Sequence, residues 1–505
     1  LYFCKKIGVN PLKKLAGQTA IYGLPSIVLR IVGYFLTPLY TRVLDEGNYG
    51  AVVYMYSLVA FFNVILTYGL ETAFFRFING SNDKRKVYAS AFTSLFVSSL
   101  LFLVIVLLFS GSISEIVDYQ SHKDWIVYFG LILSLDALSA LPFARLRSEN
   151  KASRFALVKS VNILVNVLFN LLFLIALPAI AKTSESNPFG YLVRLFYSDQ
   201  SKISYIFISN LIASLITLFM LRNEMRIKLQ DFDFLILKKL LRYGVPLLFA
   251  GLAGIANETL DRVLLRHMLP ENVASIQLGI YGANYKVAIL ITLFIQAYRY
   301  AAEPFFFSQA KNVDAKKTYS QMMTYFVLII SFLFLATMLY LDVVMYLIGK
   351  PFRVGQPVVP ILMLANIFLG IYVNLSIWYK LTNQTVFGML LSFGGAFVTI
   401  LLNVLLIPKM GYMGSGWATF ACYFVMMVLS YYFGQKYYPV RYNLRKIVLY
   451  LGLALFLYFI TFLTDELDLI NRLVIHTIMM VFYLMVVLII EFPNLKRHKQ
   501  SENSL

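Results

Sequence analysis

Long apolar blocks alternate with short, mostly basic loops along nearly the whole chain. Crossing ~30 Å of hydrocarbon takes about 20 residues of helix. Fourteen windows are apolar over that length: 19–40, 48–70, 88–110, 124–144, 155–178, 203–221, 240–260, 277–299, 322–343, 357–379, 386–407, 411–433, 444–463 and 470–491. The pattern predicts an all-α polytopic membrane protein with about fourteen transmembrane helices. The longest segment outside the spans is 179–203, too short for a folded soluble domain.

Composition agrees with the pattern. Of 505 residues, 60% are apolar and 14% charged, and the mean hydropathy is +0.73. A soluble domain is nearer half apolar and a quarter charged. A secreted disulfide scaffold, a nucleic-acid-binding domain and a cytosolic enzyme are therefore excluded. The two cysteines, Cys4 and Cys422, are too few for a disulfide framework, and four scattered histidines make no metal site. No cleavable signal peptide is expected, since no small-residue cleavage site follows a short apolar core.

The net charge of +19 would suggest a nucleic-acid partner in a soluble protein. Its distribution gives another reason. Thirty Lys and Arg fall in the loops of one side and the termini, and eleven in the loops of the other. Three, Arg30, Lys286 and Arg299, lie inside spans. Cytoplasmic loops carry the excess of basic residues. Both termini are therefore expected in the cytoplasm of a bacterial inner membrane, and no nucleic acid is needed as a partner.

The chain also repeats itself. Tyr22-Gly23-Leu24-Pro25 returns as Tyr243-Gly244-Val245-Pro246, and Arg42-Val43-Leu44 as Arg262-Val263-Leu264. Tyr49-Gly50-Ala51 returns as Tyr281-Gly282-Ala283. Glu71 with Phe74-Phe75 matches Glu303 with Phe306-Phe307, and Asn150 and Asn170 match Asn383 and Asn403. Each unit holds six spans, so the second enters the membrane from the same side as the first. The architecture is two six-helix lobes related by a parallel pseudo-two-fold repeat, with substrate expected between them near the midplane. The predicted organisation is a cytoplasmic segment 1–18, an N-lobe 19–224, a linker 225–239, a C-lobe 240–436, two further spans in 437–491 and a cytoplasmic tail 492–505.

Over roughly 12–440 the chain resembles the multidrug/oligosaccharidyl-lipid/polysaccharide (MOP) exporter superfamily, on its Wzx-like polysaccharide flippase branch. The residues that carry the likeness are Lys13-Lys14-Leu15-Ala16-Gly17, Thr41-Arg42-Val43-Leu44 and Asn48-Tyr49-Gly50. The most specific stretch is Gly279-Ile280-Tyr281-Gly282-Ala283-Asn284-Tyr285-Lys286, followed by Ala302-Glu303-Pro304-Phe305. The resemblance implies a central cavity open alternately to each face and a lipid-linked sugar as cargo. In the lipid II flippase branch a pair of extra helices forms a groove for the polyprenyl tail; the last two spans here are candidates by analogy.

A charge at mid-bilayer costs about 2.5–3.5 kcal/mol or more, so it should face a cavity or a partner. Arg30, in the first span, could grip a pyrophosphate bidentately or pair with Asp136 at similar depth in the fourth. Lys286 suits a phosphate as a point charge, or snorkels outward. These three align with Gly251, Leu369 and Tyr54 in the other repeat, and that asymmetry marks them for substrate rather than scaffold. Arg299 and Tyr285 complete the substrate-binding candidates; Arg299 is also placed for a local pair with Glu303 four residues on. Glu71 and Glu303 recur in both repeats and are expected to serve the scaffold or a gate. Asn257, Glu258 and Asp261 are a candidate cation site; Glu258 is also spaced to pair with Arg262.

The expected function is a flippase for a polyprenyl-diphosphate-linked oligosaccharide. No covalent bond changes, so no catalytic residue or cofactor is expected beyond a coupling ion, Na+ or H+. No phosphate-binding loop of the G-x-x-x-x-G-K-[ST] kind is present. Expected partners are the polyprenyl-linked glycan, membrane lipids, and a glycan polymerase with other assembly proteins. A cation-coupled multidrug exporter is the alternative within transport, but Arg30, Lys286 and Asp136 sum to a positive charge, which favours an anionic cargo. A membrane polysaccharide polymerase or ligase is the alternative among enzymes, and the short 179–203 segment weighs against it.

Overall fold

A computed structural model gives the architecture. It describes residues 32, 34, 36–78, 83–182, 193–194, 197–310, 312–464 and 466–502. Among these every regular element is a helix and none is a strand. In order the main ones are α1 Leu36–Val43, α2 Glu46–Thr67, α3 Leu70–Ile78, α4 Lys84–Leu108, α5 Lys123–Ser148, α6 Ala152–Leu171, α7 Lys202–Met220 and α8 Phe234–Met268. There follow α9 Glu271–Gln309, α10 Ala315–Leu339, α11 Val358–Leu375, α12 Val386–Met410, α13 Tyr412–Tyr437, α14 Leu444–Thr461 and α15 Leu469–Glu502. Helix is what the apolar blocks require, because lipid offers no water to pair backbone N–H and C=O groups.

Twelve helical stretches among the described residues are long and apolar enough to cross a membrane, and each coincides with a predicted span. The protein is a multi-pass membrane protein. The first predicted span lies mostly outside the described residues, and α1 is its end. The seventh is built as α8, one 35-residue helix with Pro246 inside it, and is not among the twelve. Short polar residues begin the helices at the span ends. The Asp45 carboxylate accepts from the Asn48 backbone N–H at 2.7 Å, and Asp233 caps α8 through Leu235 and Ile236.

The chain divides into two compact units: Leu1–Ala283 with Ser392–Ala418, and Asn284–Leu391 with Thr419–Leu505. In the first, α5 packs against α4 and α7, α6 against α7, and α2 against α8. Two glycine contacts set how closely α2–α3 can approach α8–α9. A Cβ on Gly50 would fall 1.9 Å from the Ser275 carbonyl oxygen, and one on Gly279 would fall 1.9 Å from that of Glu46. At the other end of α2 the chain turns at Gly69, with φ +71°, where a Cβ would meet the Gly244 carbonyl at 2.5 Å. Only glycine fits such backbone-on-backbone crossings.

In the second unit α10 packs against α11, α14 and α15. The C-terminal pair is tied at one end by Lys446 Nζ, 2.5 Å from Glu491 Oε1, with the Tyr450 hydroxyl donating to the same carboxylate. Near its other end Arg472 reaches Asp342, just past α10, at 2.8 Å. Both helices beyond the sequence repeat pack against α10.

Candidate functional site

The duplication read from the sequence returns as a matched corner in each unit. In the first, the Arg147 guanidinium pairs with Glu71. Phe74 meets the Tyr88 ring edge-on at 5.8 Å, and Asn150 takes a φ of +57° just after α5. In the second, Lys380 Nζ lies 2.5 Å from Glu303 Oε1 and Arg299 Nε lies 2.9 Å from it. Phe306 meets Tyr319 edge-on at 5.2 Å, and Asn383 again has φ +57°. Glu71 and Glu303 therefore each fasten the end of one span to the turn that closes another. Arg299 spends its charge on this pair. Arg147 and Lys380 were not singled out from the sequence, although they stand at the same spacing as Asn150 and Asn383.

Glu303 lies beyond the apolar stretch of its helix. Burial by itself would raise its carboxyl, but the Lys380 hydrogen bond and the Arg299 charge outweigh that and hold it below the usual carboxylate range.

Within the first unit, the interior of the membrane segment holds a run of polar groups. Ser214 Oγ donates to Asp136 Oδ1 at 2.8 Å. One turn away on α7, the Asn210 amide donates to the Tyr56 hydroxyl at 3.2 Å. Asn162 donates to Thr217 Oγ1 at 2.9 Å, and the Tyr40 hydroxyl donates to Asn170 Oδ1 at 2.9 Å. Asn170 also donates to Asn166. On α6 the polar positions Lys159, Asn162, Asn166 and Asn170 are spaced by three or four, so one helix face carries them all. Each extra amide in lipid is costly unless paired, and here they are paired with one another and with α1 and α7. Asn170 marks the repeat in the sequence, and Asn162 and Asn166 are signalled there only as polar residues at helical spacing in an apolar span. Arg30, the proposed partner of Asp136, lies outside the described residues.

On α8, Asn257 and Asp261 are buried on one face and Glu258 is exposed. The Asn257 amide donates to the Ser392 carbonyl at 3.0 Å. The Tyr281 hydroxyl donates to Asp261 Oδ2 at 2.5 Å. Arg262 donates to the backbone carbonyl of Glu258 at 3.0 Å. The three cation-site candidates thus have separate surroundings, and Glu258 stands apart from the other two. In the second unit Tyr285 is buried while its neighbour Lys286 is exposed, so these two substrate candidates face different environments.

A further cluster lies on the side with fewer Lys and Arg. The Tyr54 hydroxyl is 2.8 Å from His267 Nε2, and His267 Nδ1 is 3.4 Å from Asp118 Oδ2. Beside it the buried Arg266 donates to Ser275 Oγ at 2.9 Å and to the Asp118 carbonyl at 3.2 Å, and lies over the Tyr119 ring. This cluster ties α2 and the loop before α5 to the end of α8, next to the Gly50–Gly279 crossing. On the opposite side Arg76 lies over the Tyr243 ring at 4.9 Å, beside the Gly69–Gly244 contact. No local pattern marks His267 or Asp118, whose partners are far away along the chain.

Residues 15–310 match the family model described as polysaccharide biosynthesis protein. Protein 1 of the Lsg locus of Haemophilus influenzae is 22% identical over 302 residues, 59% of this chain and 67% of that protein. Among solved structures, the lipid II flippase MurJ in an inward closed conformation superposes with a TM-score of 0.72 at 15% identity, over 94% of this chain and 99% of that one. The multidrug transporter DinF-BH, of the MATE type, gives 0.62 at 14% identity, over 86% and 98%. An inward-facing multidrug resistance MATE transporter of the MOP superfamily gives 0.57 at 15% identity, over 86% and 95%.

Proposed function

Since the chain belongs to the polysaccharide biosynthesis protein family, with the fold of the MOP superfamily, we propose that it is a flippase for a polyprenyl-diphosphate-linked oligosaccharide. It works in the bacterial cytoplasmic membrane with both termini inside, and moves its cargo to the outer leaflet for surface polysaccharide synthesis. The family match carries the cargo class, and the likeness to the lipid II flippase agrees with it.

The contacts of α2 support an alternating-access cycle. At one end α2 meets α9 at Gly50–Gly279 and α8 at Tyr54–His267; at the other, Gly69 meets Gly244. Two separate sets of contacts, each between an element of the first repeat and one of the second, are what two gates require. Either set can part while the other holds. Arg30 and Lys286 bind the diphosphate or acidic sugars in this scheme. The coupling ion, Na+ or H+, acts at a carboxylate inside the membrane segment, such as the half-buried Asp136 or the buried Asp261. Glycan polymerase and other assembly proteins take the product.

Deletion of the gene tests the proposal. The lipid-linked glycan should accumulate on the inner leaflet, and the wild-type gene should restore export. Accumulation on the outer leaflet would instead place the lesion after flipping and overturn it.

A further inference from the structure

A cavity of about 920 Å³ opens in the first unit, away from the polar interior described above. Its lining comes from four segments: the end of α3, the start of α4, the α5–α6 corner and the link between α7 and α8. Its floor is apolar and aromatic, with Phe74 and Tyr88 buried beneath it. Lys84, Arg85, Arg226 and Lys228 line it, all of them exposed. Among the described residues none of these four forms an ion pair.

The remaining charges do not cancel them. Arg145 and Lys151 engage Glu149 at 2.8 and 2.7 Å, and Arg145 also donates to the Glu224 carbonyl at 2.9 Å. These hydrogen bonds outweigh burial and hold the Glu149 carboxyl below its usual range, so that group is already satisfied. Asp231 is left as the single carboxylate facing four cations. Loop cations that merely follow the positive-inside rule spread into solvent. Here they converge on one concavity, although like charges held together repel.

We propose that this cavity is a binding site for a phosphate-bearing group. Two guanidiniums offer paired N–H donors that match phosphate oxygens, and two ammoniums add point charge. The cavity lies where spans end on the Lys- and Arg-rich side, the level at which lipid phosphates sit. The phosphate can belong to a lipid headgroup or to a soluble molecule; both present the same chemistry to these four side chains. The site stands independently of the flippase reading, since none of its residues is assigned to cargo there.

The test uses the full chain in nanodiscs. Inorganic pyrophosphate is titrated into protein in phosphatidylcholine discs, and separately the discs are doped with phosphatidic acid, with binding followed by calorimetry and by thermal shift. The double variants Lys84→Gln/Arg85→Gln and Arg226→Gln/Lys228→Gln should each weaken binding roughly tenfold, because each removes two charge-assisted hydrogen-bond donors. Asp231→Asn should tighten it a few fold, about what removal of one like charge gives near a surface. This second variant keeps the test sound if a double variant folds poorly. Lys238→Gln/Lys239→Gln, exposed on the same side but outside the cavity, should change little. Response to phosphatidic acid alone assigns the site to lipid, and response to pyrophosphate assigns it to a soluble phosphate group. Binding of neither probe, or equal loss in the control variant, would overturn the proposal.

Discussion

Glu303 shows how a single side chain is made structural. Its carboxylate accepts from Lys380 and Arg299, and the three close the end of a long helix. About a third of its side chain is exposed, so the gain is modest, about 1 kcal/mol for a network of this kind. The pH dependence has a fixed sign. The folded carboxyl is depressed, so its contribution is full above the unfolded value near ~4.3 and fades as pH falls through the folded value. Glu303→Gln should therefore melt a few degrees below wild type at pH 7, and the gap should close in acid. A gap that widens in acid would contradict this account.

Two features at the scale of elements are open to test. The Gly50–Gly279 crossing brings backbones too close for any side chain. Gly50→Ala or Gly279→Ala should cost ~1–3 kcal/mol if the helices stay in contact. If the contact is a gate, the helices part instead. His267→Cys would then react faster with an impermeant thiol reagent in the Gly50→Ala background than in the wild-type one. Equal reactivity would make the crossing a fixed scaffold.

The second feature is the C-terminal pair. Glu491 is buried and holds Lys446 and Tyr450, so Glu491→Ala leaves a partly buried ammonium without its counter-charge. Breaking such a pair costs about 3 kcal/mol. The α14–α15 packing should loosen, measured as faster amide exchange in α14, while α2–α8 remains protected.

For the whole molecule, orientation and cargo charge are the testable properties. In a Cys4→Ser, Cys422→Ser background, Ser121→Cys should react with an impermeant reagent from outside and Asn223→Cys should not. Both positions are exposed, so access across the membrane decides the result. The 30-to-11 bias of Lys and Arg motivates the assignment, and the reverse pattern would invert the map. Arg30→Ala and Lys286→Ala should each lower glycan export several fold with the protein still inserted, since each removes one charge proposed to bind an anionic head. Normal export in both would end the anionic-cargo reading.

Membership of the membrane class, the helical content and twelve of the spans followed from the sequence, because in lipid an apolar run of sufficient length has no other stable form. The internal repeat was also legible, and Glu71 and Glu303 each carry an ion pair at a corresponding corner. The sequence could not identify their partners: Arg147 and Lys380 lie 76 and 77 residues further on. The same holds for Tyr54, His267 and Asp118, and for the cavity cations, drawn from segments some 140 residues apart. Hydropathy and charge are local properties, summed within one helix or loop. Which polar groups meet depends on how helices cross, and that is set by contacts such as Gly50 on Gly279 that only the folded chain contains.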